Sequence, residues 1–443
     1  MRDRAARAIT GGDRADAAWT PEHAEHHLRS LELFGMRFGL DRMRRMMTAL
    51  GSPQRRFQSI HIVGTNGKTS TTRMIAAILQ GHGLRVGSYT SPHLVSYAER
   101  VQVEGQDAQT HAFAAAIARA AHAAERVNRT LAEDDHVTQF ELMSAAAFWE
   151  LARREVQVVV VEAGLGGRFD ATNAIDSSVA ALTNVGLEHT RWLGPTVRDI
   201  AIEKLAVLGE GSVLVVPAGL PEEVMELASE AARERRAQLI LAEPPAPALA
   251  LAAPGEFQRE NFALARRVAE VYLQQAQIEL SEPQVLAAAA RVSVPGRLQV
   301  VGQDPLTVLD GAHNPPAADA LAGALDDLLA GREAALVMGV LEDKDAAAML
   351  ARLLPSFQRA WFTAPPSARA LSPAALASLA RQLGFERAVC EPSPPRALRS
   401  AREWALARGG GAAVVATGSV YLVGDLLARE SEARAGCEKA GTA

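Results

Sequence analysis

Ser59-Ile60-His61-Ile62-Val63-Gly64-Thr65-Asn66-Gly67-Lys68-Thr69-Ser70 reads as a strand, a glycine turn and a helix start, with a helical pattern continuing over Thr71 to Gln80. That succession gathers several backbone N–H groups and the positive end of a helix dipole at one point, which makes an anion site. Gly64, Thr65, Asn66 and Gly67 supply the loop, and Lys68 is long enough to reach the outer phosphates of a nucleotide. Thr69 or Ser70 offers a hydroxyl to a phosphate or to Mg²⁺. The plainer alternative is a strand–helix turn with a lysine at its rim. The stretch is not a full Walker A sequence, because Ile62 stands five before Gly67, where that motif has glycine.

Working outward, short β-branched runs alternate with Ala/Leu-rich helical patterns. Phe57 to Val63, Val156 to Val161, Ser178 to Thr183 and Val213 to Val216 read as strands of a parallel α/β sheet. A second series follows the Val294-Pro295-Gly296-Arg297 junction, with strands at Thr307 to Leu309, Ala335 to Gly339, Ala360 to Thr363 and Ala413 to Ala416. Helical patterns near 315–330, 344–354, 373–383 and 395–407 separate them. A boundary near 295 therefore divides a first domain, 21–295, from a smaller one, 296–429. Residues 1–20 and the charged, Ala-rich stretch 430–443 are predicted to be disordered, and the Pro-rich stretch 244–254 to be a surface loop.

Composition narrows the partners. Apolar residues make up 48% and charged residues 22% of 443, as in ordinary globular proteins. The net charge is -5, from 46 basic and 51 acidic residues, and no Lys/Arg block suggests nucleic acid. Two cysteines, Cys390 and Cys437, make neither a disulfide framework nor a Cys-based metal site. The start of the chain lacks an apolar signal region, and the uncharged 244–255 stretch is too short and proline-broken to span a bilayer. A soluble cytoplasmic protein is expected.

Further segments carry a resemblance. They are Thr90-Ser91-Pro92-His93-Leu94, Glu162-Ala163-Gly164-Leu165-Gly166-Gly167-Arg168-Phe169-Asp170-Ala171-Thr172-Asn173 and Thr183-Asn184-Val185-Gly186-Leu187-Glu188-His189-Thr190. Ala201-Ile202-Glu203-Lys204, Pro295-Gly296-Arg297-Leu298, Leu309-Asp310-Gly311-Ala312-His313-Asn314-Pro315 and Thr417-Gly418-Ser419-Val420-Tyr421 follow in the same order. Together with the GTNGK core they resemble the folylpolyglutamate and dihydrofolate synthases of the Mur ligase superfamily, over about Leu31 to Leu427. The resemblance implies an α/β fold: a P-loop Mur-ligase-type ATPase domain with a parallel-rich sheet, and a smaller Rossmann-like C-terminal domain.

Residue roles follow from that likeness. Ser91, Glu162 and His189 would be the Mg²⁺ ligands, and K⁺ is a second candidate cation. Glu162, at the carboxyl end of a valine run, has the chemistry for a hard cation on its own account. It would otherwise cap the glycine loop. Lys204 matches a lysine that is carbamylated in the family, although Leu205 replaces the usual Ala; a solvated helix lysine is the default. Asn261, Arg297 and Asp310 match ATP-contacting positions, and His313 lies just past the strand that ends at Asp310. Asn314-Pro315 reads as N-cap and N1 of a helix.

For the pterin acceptor, Thr138-Gln139-Phe140-Glu141 and the loop at Phe38 match family segments. Phe38 and Phe140 either flank a flat heterocycle or are ordinary core aromatics. Arg168 is a candidate for a substrate carboxylate.

The implied reaction is ATP-dependent. The substrate carboxylate attacks the γ-phosphate to give an acyl phosphate, and the α-amine of L-glutamate displaces phosphate to form an amide. The acceptor is dihydropteroate, a reduced folate, or both, and the family implies a monomer. Thr69 departs from the folate enzymes, which mostly have Gly there, and so keeps a Mur-type cell-wall ligase open. Such a ligase normally carries an additional UDP-binding domain, and only about 55 residues precede the loop. A P-loop switch without ligase chemistry is the other alternative; Glu162, His189, Lys204 and Asp310 together argue against it.

Overall fold

Val158, Val159, Val160 and Val161 are all fully buried, as befits a strand covered on both faces. In the computed structural model, which describes residues 19–31, 38–244, 249–408 and 411–441, this run is the centre of the first of two units. Its sheet contains β1 (Gln58–Val63), β2 (Val86–Tyr89), β3 (Val101–Val103), β4 (Gln106–Asp107), β5 (Val158–Glu162), β6 (Val179–Leu182), β7 (Val213–Pro217) and β8 (Gln238–Ala242). The order is β4-β3-β2-β5-β1-β6-β7-β8. All pairings are parallel except β2–β3 and β3–β4.

Side-chain alternation assigns the faces. Val159 and Val161 join one core with Tyr89, Phe148 and Met143, whereas Val63 and Leu182 join another with Ala201 and Leu205. Each fully buried valine of such a strand contributes roughly 1.5–3 kcal/mol over exposure. The helices needed below are α1 (Lys68–Gly81), α2 (Gln139–Arg153), α3 (Val197–Leu205) and α4 (Glu256–Gln275).

Helix α2 begins with a reciprocal cap: the Thr138 hydroxyl accepts from Glu141 N–H, and Glu141 Oε2 accepts from Thr138 N–H at 2.8 Å. The buried Arg42 fixes the same carboxylate, its Nε 3.0 Å from both Glu141 oxygens, while Nη1 donates to Asp135 at 2.9 Å.

The second unit comprises Pro92–Val95, Ala250–Glu260 and the chain from Arg291 onward. A single cut near 295 therefore omits two short excursions. Leu94 explains the first: its carbonyl oxygen sits 2.0 Å from where a Cβ on Gly424 would be, a contact only glycine permits. The sheet order is β13-β12-β11-β14-β10-β9, for β9 (Gln299–Gln303), β10 (Leu306–Leu309), β11 (Glu333–Met338), β12 (Arg359–Phe362), β13 (Ala388–Cys390) and β14 (Ala412–Thr417). Only β9 runs antiparallel. Val308, Leu336 and Val415 pack on one face; Leu309, Val337 and Val414 pack on the other.

Asn314 caps α5 (Pro315–Leu329), its Oδ1 accepting Ala317 N–H at 2.9 Å. The final helix, α6 (Val420–Gly441), continues through the stretch predicted to be a disordered tail. Ala, Glu and Arg are strong helix formers, so once α6 is started by packed residues such as Leu422 and Leu426 the propensity of the tail sustains it. Residues 1–18 and 245–248 lie outside the described residues, and with them most of the expected N-terminal extension and part of the Pro-rich loop. No helix among the described residues is long and apolar enough to cross a membrane.

Candidate active site

The carboxyl ends of β1, β5 and β6 lie side by side, and the chain leaves them as the 64–67 loop, the 163–170 loop and Thr183-Asn184. This is where an open α/β sheet holds its ligands. Gly64 and Gly67 have φ of +152° and +83°. A Cβ on Gly64 would meet Thr183 Oγ1 at 1.8 Å, and one on Gly67 would meet Asn261 Oδ1 at 2.3 Å. Both glycines are therefore required, and the second places the Asn261 carboxamide directly on the loop.

The loop is stitched to β6. Thr65 N–H donates to Asn184 O at 3.0 Å, Asn66 N–H to Asn184 Oδ1 at 2.9 Å, and Thr183 Oγ1 to Asn66 O at 2.6 Å. Thr183 and Asn184 belong to a segment used only for likeness in the sequence; their role as the loop's bracket needed the strand order. Ser70 is buried in the first turn of α1.

Two lysines converge on one carbonyl. Lys68 Nζ donates to Gly64 O and Thr65 O, each at 3.0 Å, and Lys204 Nζ donates to Gly64 O at 2.7 Å. Lys204 is 4% exposed. Burial, and then the neighbouring Lys68 ammonium, push its pKa down to about 7.

Glu162 is 2% exposed at the end of β5. Thr69 Oγ1 lies 2.9 and 2.8 Å from its two oxygens, and Ser91 N–H donates to Oε2 at 3.2 Å. The Glu162 carboxylate and the Thr69 hydroxyl thus place oxygen donors beside the phosphate loop, chemistry that fits Mg²⁺. His189, the third expected ligand, adopts φ of +51° before the short helix Thr190–Leu193, with Nε2 3.7 Å from Glu188 Oε1. Among the described residues no three His, Cys, Asp or Glu side chains gather as a metal centre.

The acceptor candidates are dispersed over the unit. Phe140 lies against Gly164, where an added Cβ would be 2.5 Å from the ring, and its centroid is 6.4 Å from Tyr89. Phe38 instead contacts Phe169 and Trp192, neither singled out in the sequence. The Thr138 hydroxyl is used by the cap of α2, donating to Glu141 Oε2 at 2.9 Å. Arg168 Nε pairs with Glu203 at 2.7 Å. Asp170 is fully buried, accepting from Leu165 N–H, Thr172 N–H and Thr172 Oγ1; burial raises its pKa.

In the second unit, Asp310 is nearly enclosed, Oδ2 accepting Leu298 N–H at 2.9 Å and Oδ1 accepting Ala312 N–H at 2.8 Å. Its carboxylate thereby holds the 296–298 turn. Arg297 Nη1 lies 2.5 Å from where a Cβ on Gly311 would be, so the guanidinium rests on that glycine. His313 has Nδ1 2.9 Å from Gly311 O, which fixes Nδ1 as the protonated nitrogen.

Residues 62–234 match the Mur ligase middle domain, and residues 296–420 match the Mur ligase glutamate ligase domain. Folylpolyglutamate synthase of Lacticaseibacillus casei is 33% identical over 362 residues, 76% of this chain and 84% of that protein. The chain belongs to the folylpolyglutamate/dihydrofolate synthase family of Mur ligases. It is an ATP-dependent acid–amino-acid ligase.

Two solved structures are similar to this ligase along nearly its whole length. Folylpolyglutamate synthase of Mycobacterium tuberculosis complexed with ADP superposes with a TM-score of 0.86 at 30% identity, covering 93% of this chain and 98% of its own. The bifunctional folylpolyglutamate synthase/dihydrofolate synthase of Yersinia pestis, complexed with AMPPNP and Mn ion, gives 0.79 at 29% identity, with 93% and 98% coverage.

Proposed function

We propose that this ligase binds Mg²⁺-ATP on residues 64–70 and joins L-glutamate to dihydropteroate, to a reduced folate, or to both. One observation carries the reading: a glycine-built anion loop with a buried carboxylate, Glu162, and a buried amine, Lys204, at its rim. The similar M. tuberculosis and Y. pestis enzymes hold ADP, and AMPPNP with Mn, respectively.

The backbone of Gly64 to Ser70 cradles the phosphates, with Asn261 against the loop, and Lys68, whose ammonium rests on the Gly64 and Thr65 carbonyls, would turn from them to the transferring phosphoryl group. Glu162, Ser91 and His189 are the metal ligands in this reading, and K⁺ remains a second cation to test. Mg²⁺ would neutralise charge on the phosphoryl oxygens as the substrate carboxylate approaches. That carboxylate attacks the γ-phosphorus, ADP leaves, and the acyl phosphate carries the activated carbon. The glutamate amine then adds at that carbon, phosphate departs with the former C–O bond, and a proton is released.

Carbamylation of Lys204 belongs to this reading: its amine is buried 2.7 Å from Gly64 O, and burial pushes its pKa down to about 7, so that neutral amine can add CO₂ with loss of a proton. Phe38, Phe140, Thr138 and Arg168 belong to the acceptor side. Arg297 and Asp310 are assigned to the nucleotide, and His313 to catalysis. The chain is taken to work as a cytoplasmic monomer on small molecules alone.

The test is ADP release measured with both substrates, each alone, and neither. Joint dependence on a pterin carboxylate and L-glutamate is expected. Turnover independent of both would sink the ligase reading, and running dihydropteroate against tetrahydrofolate resolves the acceptor. A Mur-type substrate is disfavoured by the folate-enzyme relatives, and Thr69 is its only support.

A further inference from the structure

On the sheet face under α1, a row of polar side chains lies outside the phosphate loop. Strand register sets it out: Val160, Ser88, Gln102 and Asp107 are successive partners across β5, β2, β3 and β4. Glu162 follows Val160 by two residues and so shares that face. The bond from Thr69 to Glu162 puts α1 on the same side. Ser88 and Gln102 are buried, and Gln102 Nε2 donates to Asp107 Oδ1 at 2.6 Å.

Arg73 enters from the helix side. It stands four residues after Thr69, one turn further along the face of α1 that meets Glu162. Its Nε is buried, and among the described residues that atom has no hydrogen-bond partner. Burial pushes its pKa down, and the carboxylates whose charges oppose that shift are Asp107, Glu99 and Glu162. Each of the three is already held by another donor: Gln102 on Asp107, Ser96 N–H on Glu99 at 2.7 Å, and Thr69 on Glu162. An arginine cannot shed its proton, so a buried guanidinium nitrogen without a bond leaves a fixed charge that acts through its field.

Resting on the reading of Glu162 as a metal ligand, we infer that Arg73 is a positioning residue for the divalent cation. Its fixed positive charge behind Thr69, offset by Asp107, limits how tightly Glu162 holds the metal. A cation that leaves with the spent nucleotide is released in every turnover, and a neighbouring fixed charge weakens its retention without removing a ligand. The sign is diagnostic. Loss of the Arg73 charge tightens the metal, whereas loss of a merely structural contact loosens it.

The experiment measures ADP affinity by calorimetry with and without Mn²⁺, the ratio isolating the metal's contribution. The full chain is compared with Arg73→Gln, Arg73→Lys, Asp107→Asn and Glu162→Gln. Coulomb's law in a partly buried site predicts that the Mn²⁺-dependent gain rises roughly 5- to 50-fold in Arg73→Gln. The Mg²⁺ concentration for half-maximal ADP release should fall with it. Arg73→Lys, which keeps the charge, should stay within a few-fold of the unmodified protein, and Asp107→Asn should lower the gain. A gain unchanged or reduced in Arg73→Gln overturns the inference, as does Arg73→Lys shifting as far as Arg73→Gln. Should Arg73→Gln not fold, Asp107→Asn on the exposed β3–β4 hairpin decides: a lowered gain supports the inference and an unchanged one overturns it. If Glu162→Gln keeps the full gain, the metal-ligand reading itself fails; if only the Arg73 and Asp107 variants are without effect, this inference alone fails.

Discussion

The hydroxyl of Thr69 lies 2.9 and 2.8 Å from the two carboxylate oxygens of Glu162, joining the first turn of α1 to the end of β5. Hydrogen bonds to a charged group contribute about 1.5–3 kcal/mol each. Thr69→Val should therefore lower kcat/KM for Mg²⁺-ATP by roughly 10- to 100-fold. Thr69→Ser, which keeps the donor, should stay within a few-fold of the unmodified protein. Equal kinetics for Val and Thr at this position would refute the coupling.

Gly67 carries a φ of +83° and faces Asn261 Oδ1. In Gly67→Ala the new methyl group cannot fit without displacing the carboxamide, and an unfavourable backbone angle adds about 1–3 kcal/mol. We expect ADP binding, measured by calorimetry, to be lost while the melting temperature falls only slightly. Unimpaired ADP affinity would show that the loop does not need its present shape.

Lys204 gives a pH signature. Its pKa is pushed down to about 7 by burial first and by Lys68 second, against 10.5 for a lysine in water. Between those values the unfolded chain holds the extra proton, so stability from this group rises with pH across that window. Lys204→Met removes the titration. Urea unfolding of both proteins should show the unmodified protein gaining relative to the variant from pH 7 to pH 9. Parallel pH dependences would contradict a buried, depressed lysine.

Arg42 joins Glu141 and Asp135, with both Arg42 and Glu141 buried. Arg42→Met strands the Glu141 charge and should destabilise the first unit by about 3–5 kcal/mol in chemical denaturation. Adding Glu141→Gln should recover part of that loss. Additive losses would mean that the two side chains do not interact energetically.

The sequence by itself determined the elements and the chemistry carried by consecutive residues. Val158 to Val161 was legible as a buried strand, and 64–70 as a strand–turn–helix stretch with the chemistry to hold an anion. Such properties follow from local sterics and burial pattern, which neighbours in sequence already encode. Short strands such as Val101–Val103 and Gln106–Asp107 carry too little pattern to be read, because strands of two or three residues take their conformation from a partner.

Tertiary structure alone decided what the separate motifs touch. Thr69 was legible as a hydroxyl near phosphate, but its bond to Glu162, 93 residues later in the chain, exists because β5 lies beside β1. Phe38 was legible as an aromatic candidate, yet its neighbours are Phe169 and Trp192 rather than Phe140. Contacts between distant segments depend on strand order and on packing such as Leu193 against Gly166, and no local residue pattern specifies them.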